Sequence, residues 1–131
     1  MRGYLPTSAQ EISDFSKVHS LTVESIYGPT IKFLTDNNDL NEEEVEFTLS
    51  MMAAQESLDM RDAEDGFGFV LALEIPEEVV DQHYEDSFSL KAALLWDFVA
   101  CLFLVSHDGE ELTWFATQEI VPNLDVWIAK V

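Results

Sequence analysis

A single cysteine, Cys101, rules out a disulfide within the chain. It sits in the apolar run 101–105 and reads as a small buried hydrophobe. A catalytic thiol needs a base beside it, and none is close in sequence. Basic residues are scarce: six Lys and Arg stand against twenty-six Asp and Glu, a formal net charge of −20. That argues against binding nucleic acid directly, because phosphates are neutralised by Lys and Arg. It argues equally against anionic membrane surfaces. Long hydrophobic runs are missing too. The longest, residues 92–105, is interrupted by Asp97 and falls short of the ~20 residues that span a bilayer. The opening Met1-Arg2-Gly3-Tyr4-Leu5-Pro6 lacks the apolar centre of a signal peptide. The expectation is a cytoplasmic protein with its thiol reduced.

What is present is the material of one core. The 131 residues are the size of a single domain, and 47% of them are apolar, too many for a disordered chain. Two apolar runs, 101–105 and 112–116, flank His107-Asp108-Gly109-Glu110. An Asp-Gly turn between such runs predicts a hairpin. The second run, rich in aromatic and β-branched residues, is read as a strand over 110–120, and the hairpin as the centre of a small sheet.

Residues 2–5 read as a first strand stopped by Pro6. Ser8 and Glu11 have capping-box spacing, so 8–17 is a short helix with Ile12 and Phe15 inward. Alternation over 21–27 predicts one strand, and Pro29 opens another short helix. The clearest helix covers 40–60, with Asn41 at its N-cap and Glu44 three residues on. Glu42, Glu43 and Glu44 fill its first turn, where the helix dipole favours negative charge. Two apolar series run along it: Val45, Leu49, Met52, and Phe47, Met51, Ala54, Leu58. They predict burial on more than one side, leaving Glu46, Ser50, Gln55 and Asp59 outward. Residues 61–66 form an acidic loop, and 67–73 a strand apolar on both faces, ended by Pro76. Residues 77–86 read as a polar connection and 87–95 as a strand, with helix and strand both open over 92–100. Pro122 to Ile128 reads as a short closing helix or tail that lays Trp127 on the sheet. The sum is an α+β domain: a mostly antiparallel sheet against two to three helices inserted in the N-terminal half.

The start Met1-Arg2-Gly3-Tyr4-Leu5-Pro6 and the segment Glu111-Leu112-Thr113-Trp114-Phe115-Ala116-Thr117-Gln118-Glu119-Ile120 resemble a family of small actinobacterial proteins. Pro29, the glutamates at 42–46 and a buried strand ending at Pro76 extend the resemblance over most of the chain. Members are richer in Ala and Arg, where this chain has Phe, Met, Ser and Asn. The resemblance implies a bacterial cytoplasmic domain and transfers no catalytic residue.

Arg61 is the sole Lys or Arg between Asp36 and Asp86. Carboxylates along a helix and its flanking loops can imitate the charge of a duplex, about one per 1.7 Å. They would steer a basic partner with strong salt dependence. The alternative is a solvated face that only confers solubility. A calcium loop is excluded by register: with Gly66 sixth, Arg61 and Ala63 would fall at ligand positions one and three. His19, His83 and His107 lack zinc-protease spacing, so neither metal nor cofactor is expected. Asp81 near His83, and His107 beside Asp108, keep open a small enzyme using carboxylates and imidazole. The reading preferred is a non-enzymatic domain that binds a protein, basic or a second copy of itself. Its candidate surface is Glu42, Glu43, Glu44 and Glu46 on one side, and Trp114 with Gln118 and Glu119 on the other.

Overall fold

The computed structural model describes residues 1–61 and 66–129. Its most thoroughly buried strand is β4 (Gly68–Glu74), covered continuously from Gly68 to Leu73, as its unbroken apolar run requires. On one side β4 pairs antiparallel with β1 (Arg2–Thr7), from Arg2 opposite Glu74 to Thr7 opposite Phe69. On the other it pairs with β8 (Val99–Val105). β1 therefore runs through Pro6 rather than ending before it. β3 (Ser25–Tyr27) meets β1 only at Tyr4 opposite Tyr27, so at Pro6 the strand has a partner on one side alone. A missing N–H is tolerated there.

Beyond β3 lie β6 (Ser87–Leu90) and β5 (Val80–His83), and beyond β8 lies β9 (Leu112–Ala116). The order is β5-β6-β3-β1-β4-β8-β9, all neighbours antiparallel. The expected hairpin forms between 101–105 and 112–116, with Cys101 opposite Ala116 and Val105 opposite Leu112. It lies at one margin of the sheet, however, and β1 takes the centre. β4 is the strand sealed on both faces, whereas Thr113 and Trp114 of β9 are exposed.

Two segments depart from the periodicity reading. Residues 21–27 split between sheets: β2 (Ser20–Leu21) pairs with β7 (Leu94–Leu95), while Ser25–Tyr27 joins the main sheet. Residues 77–86 hold a 3-10 turn, Glu77–Val79, and then β5, whose Asp81, Gln82 and His83 are all exposed. A margin strand facing water has no apolar alternation to betray it. The open segment 92–100 is β7, a 3-10 turn at Trp96–Phe98 and the start of β8.

Helix α1 (Ala9–Val18) starts at Ser8, whose Oγ accepts from the Glu11 N–H at 3.2 Å. The Glu11 carboxylate accepts instead from Thr7 Oγ1 at 3.0 Å, so only half of that capping box exists. Helix α2 (Ile31–Asp36) follows Pro29 and is capped by Thr30. Helix α3 (Glu42–Leu58) has the complete box: Asn41 Oδ1 accepts from Glu44 N–H at 2.9 Å, and Glu44 Oε1 from Asn41 N–H at 3.1 Å. Leu49 is 0% exposed and Met52 half-buried, so the first apolar series faces the sheet. The second is divided: Ala54 is buried and Leu58 half-buried against the same core, but Phe47 is 63% exposed, and Ser50, expected outward, is buried with its hydroxyl donating to Phe47 O. Helix α4 (Thr117–Ala129) follows β9 directly and adds a C-terminal helix to those of the N-terminal half. Pro122 lies inside it, since Ile120, Leu124 and Trp127 all reach the core and their burial outweighs the lost hydrogen bond.

The sheet is covered on both faces. Leu71, Leu73 and Leu102 pack with Ile12, Phe15, Ile120 and Trp127 of α1 and α4. Val70, Ala72, Cys101 and Val105 pack with Phe33, Val45, Leu49 and Ala53 of α2 and α3. Among the described residues, no helix is long and apolar enough to cross a membrane.

Candidate interaction surface

Helix α3 packs over β1 and β4 and reaches β8. The hairpin register places Leu112, Trp114 and Ala116 opposite Val105, Phe103 and Cys101. Cys101 and Val105 belong to the core beneath α3, so alternation puts Leu112 and Trp114 on the same face of the sheet. Phe115 points the other way and meets Trp127, ring centres 5.2 Å apart. The result is a groove of about 460 Å³ between α3 and the β8–β9 hairpin. Its walls include Phe47 and Met51 from the helix and Phe103, Leu112 and Trp114 from the strands. Trp114 is 58% exposed, and Phe47 63%. Glu43, Glu46 and Glu110 supply carboxylates to the same groove.

A second groove of about 460 Å³ flanks α3 on its other side, with Leu34, Leu40, Glu42 and Val45. The two share Arg2, Tyr4 and Glu46. The shared cation is already occupied: Arg2 Nε donates to Glu74 Oε1 at 3.0 Å, and the terminal ammonium lies 3.4 Å from Glu74 Oε2. Partial burial disfavours the Glu74 carboxylate, but Arg2 and the ammonium outweigh it and hold its pKa below the ordinary value. Burial, then the nearby Glu46, pushes the Tyr4 phenol up to about 12, leaving a neutral hydroxyl. Burial also raises the Cys101 thiol, with Trp114 opposing, so the thiol stays protonated and a poor nucleophile.

The expected surface is thus partly assembled. Glu43 and Glu46 join Trp114 in one groove, and Glu42 lines the other. Glu44 is committed to the capping box. Gln118 and Glu119 belong to α4, whose core residues pack on the opposite face of the sheet. Glu119 Oε1 accepts from the Ala116 N–H at 2.9 Å, an N-terminal cap of α4. Phe47, Met51, Phe103 and Glu110 complete the groove. Apolar spacing places Phe47 in a buried stripe with Met51, Ala54 and Leu58, whereas in the fold its ring stands in water.

Two of the remaining chemical candidates, His83 and Asp108, hold structural hydrogen bonds. His83 Nδ1 accepts from the Ile31 N–H at 3.2 Å, and its ring meets Phe88 edge-on. Asp108 accepts from Ser106 Oγ and from the Glu110 N–H within the hairpin turn. A cleft of about 410 Å³ between β1 and β3 holds Glu11, Tyr27, Glu56 and Asp86. Tyr27 donates to Glu56 there at 2.9 Å, and burial with that bond pushes the phenol up to about 12. These three clefts contain neither His83 nor His107. Trp96 packs on Phe15 and Trp127 on Phe69, which leaves Trp114 as the exposed indole. Among the described residues, no group of three His, Cys, Asp or Glu is placed to hold a metal. Asp62, Glu64 and Asp65, from the calcium and mimic readings, lie outside the described residues. No family model, curated protein or solved structure matches the chain.

Proposed function

We propose that this protein is a non-enzymatic, acidic binding domain that receives a basic protein partner in the groove between α3 and β9. One observation carries the reading: Phe47 and Trp114, two large aromatics left in water, line a single groove with Glu43, Glu46 and Glu110. Exposed aromatics supply most of the energy of an interface once they are desolvated. Carboxylates around them steer a cationic partner and reject an anionic one. A chain carrying −20 repels a second copy of itself, so an unlike, basic partner fits better than self-association. The setting remains the cytoplasmic one expected from the sequence, in which the Cys101 thiol stays reduced.

The test is affinity capture at low and moderate salt, followed by reconstitution with the purified partner. Phe47→Ser and Trp114→Ser should each weaken the complex by tenfold or more, about 1.4 kcal/mol. A partner that binds both variants as tightly as the parent, or that carries net negative charge, refutes the reading. A complex held by carboxylates alone, indifferent to both aromatics, points to duplex imitation instead.

A further inference from the structure

Resting on that reading, we infer that the partner presents a basic amphipathic helix, which lies beside α3 as a third helix on this face of the sheet. The argument starts from how the two faces are covered. On one face α4 lies over β8 and β9, with α1 beside it. On the other, α2 and α3 share a core through Phe33, Val45 and Leu49. Met52 and Phe33 line a common recess, so α2 sits on the Met52 side of α3. The Phe47 and Met51 side of α3 instead borders the hairpin. Across this face the order is α2, α3, and then β9 with no helix over it among the described residues.

The dimensions fit a helix. From β4, beneath α3, to β9 is two strand spacings, about 10 Å. That equals the diameter of one α-helix with side chains, about 10 Å. β9 has five residues, about 17 Å of strand, matched by about eleven residues of helix. An apolar stripe at i, i+3, i+4 and i+7 would meet Trp114, Leu112 and Phe103 below and Phe47 and Met51 at the side. Its cationic flank would face Glu43, Glu46 and Glu110. A strand added to the margin of β9 would leave Phe47 and Met51 in water, and a second copy would bring the same carboxylates.

Three peptides of about fourteen residues, identical in Lys, Leu and Gln content, decide the matter. One carries Leu at helical spacing, one alternates Leu with polar residues, and one is scrambled. Each is titrated into the full chain by fluorescence anisotropy, with circular dichroism at 222 nm. The helical pattern should bind on the order of tenfold tighter than the others, gain ellipticity on binding, and lose its advantage in Phe47→Ser and Trp114→Ser. Tighter binding by the alternating peptide, with new protection of β9 amides, overturns the helix and leaves the proposed function standing. Equal binding by all three, abolished by high salt, overturns the helix and reduces the groove to charge. No binding by any of them overturns both.

Discussion

Phe47 and Leu49 lie two residues apart on α3, yet truncating them should have opposite consequences. Leu49 is 0% exposed, between α3 and strand β4, which carries Val70 and Ala72. Leu49→Ala removes buried methyl groups and leaves a cavity, which costs about 2–5 kcal/mol. Against a domain stability of about 5–15 kcal/mol, that is a large loss. With a urea m-value of roughly 2 kcal/mol/M, the midpoint should fall by about 1–2.5 M. Phe47 is 63% exposed, so Phe47→Ala should change stability by no more than about 0.5 kcal/mol. The assay is urea unfolding followed by far-ultraviolet circular dichroism, parent and both variants side by side. A loss of more than about 2 kcal/mol for Phe47→Ala, or under about 1 kcal/mol for Leu49→Ala, would refute the placement of α3 on the sheet. The groove would go with it.

Asn41→Ala removes the side-chain half of the α3 capping box and should cost about 1 kcal/mol by thermal or urea unfolding; an unchanged midpoint would contradict the cap. Gly109 in the hairpin turn has φ +77, and a Cβ there would lie 2.8 Å from Gln55 Nε2. Gly109→Ala should therefore cost about 1–2 kcal/mol, read in the same assay. Tyr4 and Tyr27 hold their protons to about 12 against an ordinary 10.0. The folded state thus binds protons more tightly than the unfolded one, and their contribution to stability should fall as pH rises between those values. Absorbance titration at 295 nm, with Tyr4→Phe and Tyr27→Phe as references, checks it; if the variants remove a titration near pH 10, the burial of these phenols is wrong. Light scattering after size exclusion should give a monomer at low salt, because the −20 charge opposes association; a dimer at low salt would favour self-association.

The features visible in the sequence are those with local causes. Asn41 and Glu44 mark the start of α3 because a cap needs only residues three apart. The hairpin is visible because Asp108 and Gly109 sit between two apolar runs, and the pairing follows from the turn. The unalternating run in β4 announces a strand covered on both sides. What the sequence hides is decided by distant partners. The fate of residues 21–27 depends on Leu94–Leu95, some seventy positions away. β5 is polar because it lies at a margin, and α4 begins inside a β-branched segment because Ile120, Leu124 and Trp127 find the sheet together. The site follows the same rule. Trp114 and the first-turn glutamates are legible one by one. That Glu43 and Glu46 share a groove with Trp114, while Gln118 and Glu119 belong to a helix on the other face, follows only from the topology.

The most direct measurement is a nitrogen-15 chemical-shift map of the protein titrated with the Lys-rich helical peptide at low salt. The account predicts that the largest shifts cluster at Phe47, Met51, Leu112 and the Trp114 indole. Shifts centred on α1 and α4, or spread evenly over carboxylate-bearing segments, would contradict it.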